Sequence, residues 1–362
     1  MTDAELVSYT VKYPKDTPAL MELANRMEKQ GMHGEAYNDF RLVTVADPTQ
    51  VAAWLGMART AIAQKNPTAA RDAALKVAEV AANDATAMTT AGSVLLTIGD
   101  TEAAQRLLIQ ATTADPNFAS AWDARAQVHL ARKALAEAVT AGENATRLDP
   151  KMATYWLHLA TARRLSADDK GAKEAIAEAL RLAPDDGKIL LEQGILLAQT
   201  GTTPEEKQRA ETALKAAIQK GNSAEEQAEV LRRLGKLYIE ERRYAEAEAI
   251  LEQALRTIPS DTTTLYALSR ALTLRGKVVE ATQLQKRFAE RTTLAREMSH
   301  LEMRLKREPN RAELYTRLGE LYAKMGDNLR ARAAWSKSLE LQPEQPSLKK
   351  RLADLPDVPT PP

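Results

Sequence analysis

The side chains that could transfer protons, ligate a metal or hold an anion are spread along this 362-residue chain, and their spacing limits what they can do. Its four histidines are His33, His129, His158 and His300. None belongs to an HExxH arrangement, in which two imidazoles one helical turn apart and a neighbouring carboxylate build a zinc hydrolase site. His158 could approach His129 through the fold, but two nitrogens alone make a poor metal site. The carboxylate pairs Asp168/Asp169 and Asp185/Asp186 have the chemistry of a general acid and base. They fall where helices should begin, however, and read as solvated caps. Cysteine is absent, so there is no thiol nucleophile, thiolate zinc site or disulfide. Neither GxxxxGK[ST] nor GxGxxG occurs, which removes the common phosphate loops. Trp54, Trp122 and Trp156 could suggest an aromatic box, but their spacing marks them, with Trp335, as packing residues. The chain therefore reads as no enzyme, with no cofactor and no metal. What remains is a cationic group, Arg232, Arg233, Lys236 and Arg270, with Tyr266 among it. Guanidinium pairs bidentately with carboxylate or phosphate.

The elements that must position these groups are helices. Alanine supplies 65 residues and aromatics only 4%, which favours close-packed helices over strands built from branched and aromatic side chains. Fifty basic residues against 49 acidic ones leave a net charge of +1, without the basic excess of a protein devoted to nucleic acid. That balance hides an asymmetry: residues 1–200 carry 21 basic and 25 acidic side chains (21 − 25 = −4), and residues 201–362 carry 29 and 24 (29 − 24 = +5). No apolar run is long enough to span a membrane. The start, Met1-Thr-Asp-Ala-Glu-Leu6, lacks the basic and apolar regions of a secretory signal. The expected compartment is the cytoplasm, or the periplasm if a signal segment has been removed.

Prolines at 14, 48, 116, 150 and 184, and again at 309 and 343, keep a 34-residue register. With proline at position 32, position 4 holds Leu20, Trp54, Met88, Trp122, Trp156, Leu190, Leu231, Leu265 and Tyr315. Position 8 holds Ala24, Ala58, Gly92, Ala126, Ala160, Gly194, Gly235, Ser269 and Gly319. Position 20 holds Ala36, Ala70, Ala104, Ala138, Ala172, Ala247, Ala281 and Ala331, with Ala210 shifted by an insertion. Positions 4, 7, 8 and 11 follow the spacing of one buried helix face. Small residues at 8 and 20 let the two helices of a hairpin approach closely. Gly31, Gly99, Gly201, Gly276 and Gly326 fall at position 15, where a left-handed turn is predicted. Asp100 and Asp327 follow as caps.

The pattern resembles the tetratricopeptide repeat family, W-x2-L-G-x2-Y, then A, then P. It is clearest in Leu231-x-x-Leu234-Gly235-x-x-Tyr238…Ala247…Pro259 and Tyr315-x-x-Leu318-Gly319-x-x-Tyr322…Ala331…Pro343. The resemblance covers residues 17–345 as nine copies. It implies an all-α, right-handed α-solenoid of helix-turn-helix hairpins, preceded by a half-repeat over 1–14 and forming a single array over 1–345. It also implies that the first helix of each copy lines a concave groove that binds an extended peptide or a partner protein.

Positions 2, 5, 9 and 12 share one stripe of that helix. The central copies offer Thr86, Thr89, Ser93, Ser120, Asp123, Gln127, Thr154, Leu157 and Thr161, a neutral, hydroxyl-rich stripe with Arg59 near its start. Later copies offer Arg232, Lys236, Tyr266 and Arg270, which suit an acidic ligand. Family members that grip a C-terminal carboxylate use lysine, asparagine and arginine on successive copies. Here Asn25 stands at position 9, but Met21 and Gly56 occupy its partner positions, so that clamp is absent. The expected function is a non-catalytic interaction scaffold, with no nucleic-acid partner and no membrane insertion. The alternatives are a component of a bacterial cell-envelope assembly or export system, or the sensor arm of a larger regulator.

Two copies are long. Residues 187–227 carry extra residues around Thr203-Pro204-Glu205-Glu206, a capped helix start, and at Gly221-Asn222-Ser223, where Ser223 and Glu226 have capping-box spacing. A seam in the array is predicted there. The copy at 262–311 contains no glycine or proline from Lys277 to Glu308, which predicts one helix of about thirty residues. Its stripe Leu294, Met298, Leu301, Leu305 has two readings: packing on neighbouring copies, or self-association through helix 277–308. Residues 346–362 should form a short capping helix, then an extended, disordered proline-rich tail.

Overall fold

A computed structural model of the chain describes residues 1–220 and 223–356. Part of the expected insertion, Gly221 and Asn222, and the tail from residue 357 lie outside the described residues. The described residues form 20 α-helices and no strand, an all-α helical-repeat fold. None of these helices is long and apolar enough to cross a membrane. The chain divides into two compact units, Met1–Ala213 and Leu214–Pro362, and the division falls inside the long copy at 187–227.

In the first unit, α1 (Asp3–Lys12) precedes five hairpins: α2 (Thr17–Lys29) with α3 (His33–Ala46), α4 (Val51–Ala63) with α5 (Pro67–Val80), α6 (Ala85–Thr97) with α7 (Thr101–Ala114), α8 (Ala119–Ala131) with α9 (Leu135–Leu148), and α10 (Ala153–Leu165) with α11 (Asp169–Leu182). They are followed by α12 (Gly187–Thr200) and the start of α13 (Pro204–Lys220). The second unit holds the rest of α13, then α14 (Ala224–Glu240) with α15 (Tyr244–Thr257), α16 (Thr262–Leu274) with α17 (Val278–Arg307), α18 (Ala312–Met325) with α19 (Asn328–Leu341), and the capping helix α20 (Pro346–Asp354).

The hairpins close on the small columns. Every alanine at position 20 is at most 2% exposed, from Ala36 to Ala331. At Gly92, Gly235 and Gly319, position 8 faces a large side chain at position 24 of the same hairpin, Leu108, Leu251 and Trp335. A methyl group on Gly235 would stand 2.5 Å from Leu251 Cγ, and one on Gly319 would run into the Trp335 indole. Proline ends the second helices through its predecessor, which it drives out of the helical region. Asp47, Asp115 and Asp149 accordingly adopt extended φ/ψ near −137°/93°, −137°/97° and −134°/88°. The same turns receive an indole. Nε1 of Trp54, Trp122 and Trp156 donates to the carbonyl of Pro48, Pro116 and Pro150 at 2.9, 2.8 and 2.9 Å. These tryptophans are half-buried brackets between neighbouring hairpins; expected to pack, they also satisfy a turn carbonyl.

Position 15 is left-handed as predicted at Gly31, Gly99, Gly276 and Gly326, and also at Lys65, Lys133, Ala167 and Arg242 in copies without glycine. Gly201 departs from the expectation, with extended φ/ψ of −72°/119°. The insertion behind it delays the next helix to Pro204, so the tight turn is not needed there. Asp100 and Asp327 cap their helices through Ala103 N and Arg330 N, and Thr203 and Ser223 cap theirs through Glu206 N and Glu226 N.

The 30-residue α17 runs unbroken, and its C-terminal half packs on α18. Leu301 is 6% exposed, and Leu294, Met298 and Leu305 pack with Leu314, Leu318 and Leu321. This apolar stripe is thus covered within its own unit. Arg317 bonds Glu297 at 2.6 Å and the Tyr322 hydroxyl donates to Glu302 at 2.9 Å. Burial and that bond push the Tyr322 pKa up to about 12.

The close approach at position 8 predicts opposite effects for two chemically identical changes. Gly319→Ala overpacks the rigid indole and should destabilise by about 1–3 kcal/mol. Gly34→Ala, on α3 with no atom within 4 Å of the new methyl, should be neutral or stabilising by up to about 1 kcal/mol. Thermal unfolding of both variants measures this contrast.

Candidate functional site

Within each unit the first helices touch one another across hairpins: α2 with α4, α4 with α6, α6 with α8, α8 with α10, α10 with α12, and separately α14 with α16. Among the described residues, no second helix makes a comparable contact with the next second helix. First helices that lie closer than second helices form the inner side of a curved stack, so positions 2, 5, 9 and 12 share a common face in each unit.

On the first unit's face, Asn25 is half-buried, and Arg59 is exposed but paired with Glu28 through two bonds of 2.9 and 2.8 Å. Thr89 is 5% exposed and donates to Ala85 O at 2.7 Å; Ser93 donates to Thr89 O at 3.0 Å and Thr161 to Leu157 O at 3.1 Å. Their protons are used by their own helices; Thr89 is buried, while exposed Ser93 and half-buried Thr161 keep an oxygen that can accept a hydrogen bond.

Asp123 is 7% exposed and joins two helices: Gln127 Nε2 donates to it at 2.8 Å, and His158 Nδ1 lies 2.7 Å from its other oxygen. His158 is therefore engaged with an aspartate of the preceding copy. It occupies position 6, outside the stripe, and the signal that could have found it is that position 6 faces position 5 of the copy before. Arg164 and Glu192 repeat the device between α10 and α12, at 2.6 Å and largely buried.

In the second unit, the structure separates residues that the sequence groups together. Arg232 bonds Asp261 at 2.5 Å and also pairs with Glu229. Arg233 pairs with Glu229 at 2.6 Å, and Arg275 and Lys277 both grip Glu248. Burial opposes the charge on Asp261, but bonds from Thr264 and Arg232 outweigh it and hold its pKa below the usual carboxylate value. Lys236 and Arg270, both at position 9 on the touching helices α14 and α16, are exposed and have no carboxylate partner among the described residues. Tyr266 is 56% exposed one turn from Arg270, with its ring 5.6 Å from that of Phe288.

A repeated hairpin with these columns is also what comparison with known proteins finds. Tetratricopeptide repeat models match residues 89–153, 205–262, 232–293 and 312–345. The chain belongs to the tetratricopeptide repeat family. Among solved structures, the tetratricopeptide array superposes on the APC/C hetero-tetramer Cut9–Hcn1 with a TM-score of 0.50 at 15% identity, covering 95% of this chain and 56% of that one. The chain thus spans little more than half the length of that relative. It superposes on the human IFIT1 dimer with PPP-AAAA with a TM-score of 0.50 at 14% identity, covering 94% and 95% of the two chains. The Thermus thermophilus tetratricopeptide protein TTC0263 is similar over 52% of this chain and 99% of its own, at 22% identity and a TM-score of 0.45. These likenesses are of fold. A comparison with curated protein sequences finds no match.

His129 occupies a tetratricopeptide column that holds Tyr238 and Tyr322 in other copies, and it is 6% exposed. Burial first, then the charge of Arg125, holds its pKa below the ordinary value of 6.5, against a smaller pull from Glu137. The unfolded chain therefore binds this proton more readily than the folded one. The contribution to stability is complete above the unfolded value and is lost as pH falls through the lower, folded one. Acidification from neutral pH should lower the unfolding temperature of the wild type more than that of His129→Tyr, as followed by circular dichroism.

Proposed function

We propose that this chain is a non-catalytic scaffold whose second unit binds an acidic peptide segment, presented extended or as part of a partner protein, along the face formed by α14 and α16. The observation that carries this reading is a pair of exposed cations on touching first helices. Arg232, Arg233, Arg275 and Lys277 are all neutralised within the protein, whereas Lys236 and Arg270, both at position 9, have no carboxylate partner among the described residues, and the exposed Tyr266 lies one turn from Arg270. Exposed cations keep their hydration until a ligand replaces it, and arginine can then pair with a carboxylate through two parallel bonds. Tyr266 supplies a flat apolar surface with one polar end, the kind of side chain that anchors interfaces. The acceptor-rich face of the first unit suits peptide N–H donors, and its affinity would come from many weak contacts on a preformed surface.

Fluorescence anisotropy with labelled peptide pools tests the reading. A pool rich in Asp and Glu with one aromatic should bind, and a Lys/Arg pool of the same length should not. Lys236→Glu/Arg270→Glu should abolish binding without loss of stability, because neither side chain has a partner to lose. Arg232→Glu is the wrong probe, since it would strand Asp261. Raising ionic strength from about 0.05 to about 0.5 M should weaken binding several-fold. Equal affinity for both pools, or an unaffected double variant, would sink the reading.

A further inference from the structure

The hairpin α8–α9 departs from its neighbours in two buried columns at once. At position 7, where other copies carry residues such as Leu23, Met57, Leu159 and Leu234, it has Arg125; at position 11 it has His129. Together with Trp122 and, across the hairpin, Glu137 and Thr140, these side chains line a cleft of about 250 Å³ in the first unit.

The Arg125 guanidinium lies over the Trp122 ring, 4.7 Å from its centroid. Its Nη1 donates to Thr112 Oγ1 at 2.9 Å. Its Nε is shut away from solvent and has no partner. A guanidinium has five N–H donors, and this one uses a single donor, with no carboxylate in ion-pairing range among the described residues. Arg59, Arg71, Arg163 and Arg164 each hold a carboxylate, and Arg132 and Arg147 bond the amide oxygens of Gln105 and Asn144; Arg125 holds neither among the described residues. Burial draws the Arg125 pKa down, as expected for a cation without a counter-charge. Leucine, the commonest residue of this column, would avoid the desolvation of this charge, so the arginine is not explained by packing.

We propose that the cleft between α8 and α9 is a carboxylate-binding site. Arg125 provides the charge and the planar fork, Trp122 the platform beneath it, and the Thr140 hydroxyl and the uncharged His129 ring flanking hydrogen-bonding groups. Its volume is below the roughly 300–1,000 Å³ of sites for drug-sized ligands, which fits a small dicarboxylate or a single Asp or Glu side chain of a partner. Glu137 at the rim disfavours phosphate, which brings two charges to the fork on one group, and favours a carboxylate group, which brings one and is planar. The site is in the first unit and stands independently of the cationic face proposed for the second.

The test uses the full chain with sodium succinate as the small probe and a labelled peptide carrying one internal glutamate as the other. Sodium chloride of equal ionic strength, sodium phosphate and the glutamine peptide are the controls. Calorimetric titration should give saturable binding of at least one carboxylate probe and none of its control. Arg125→Leu should stay folded, with an unfolding temperature at or above that of the wild type, and lose about tenfold or more in affinity. Arg125→Lys should retain part of it. Succinate binding alone identifies a small-molecule site, and peptide binding alone a docking pocket for an acidic side chain. The proposal is overturned if neither carboxylate binds better than its control, if phosphate binds more tightly than both, or if Arg125→Leu binds as well as the wild type. It is also overturned if Arg125→Leu is less stable than the wild type, because the arginine would then be a structural brace.

Discussion

The fold depends on how closely two helices can approach within one hairpin. Alanine at position 20 and glycine, alanine or serine at position 8 remove side-chain bulk where the helices face each other, and beside Gly92, Gly235 and Gly319 position 24 returns a large side chain into the space left. Small faces small at the crossing, and large fills beside it, so packing density is kept without wide cores. The alanine content and scarcity of aromatics follow from that geometry. A domain built around one central core would need larger side chains; a stack needs only a thin layer between neighbours.

Once the hairpins close, the polar groups at their ends must be satisfied, and the sequence does this repeatedly with few devices. Aspartates cap the helices, the residue before proline stops them, and three tryptophans turn their indole N–H onto a proline carbonyl. Each indole bond links a first helix to the turn that precedes it and so fixes the angle between consecutive hairpins. Ion pairs brace successive first helices in the same way, Arg59 with Glu28, Arg164 with Glu192 and Arg232 with Asp261, and His158 bonds Asp123 across one such boundary. Lys236 and Arg270 are exposed on touching first helices without a carboxylate partner among the described residues, and Arg125 is a half-buried cation that has none either.

The long helix α17 shows how one local property propagates. Without glycine or proline it cannot break, and the hairpin α18–α19 therefore packs on its second half, against Leu294, Met298, Leu301 and Leu305. Near the other half of α17, Phe288 is left half-buried against exposed Tyr266, which places an aromatic pair beside Arg270.

The helices, their boundaries, the turn column and the family were legible in the amino-acid sequence, because each rests on local sterics repeated every 34 residues. A small residue, a proline or a left-handed turn has the same consequence in every copy. Gly201 broke that rule only because an insertion altered its local setting. The candidate site was legible in part. Spacing marked Arg232, Lys236 and Arg270 alike as cations on one stripe, and only the tertiary structure separated them, by placing Asp261 against the first and no carboxylate against the others among the described residues. His158 was read toward His129, and the structure places it on Asp123 instead; Arg125 went unmarked, because a column gives the direction of a side chain, whereas its charge environment is set by residues on other helices. Periodicity specifies which face a residue occupies; contact between copies decides whether its charge is used within the protein or left for a ligand.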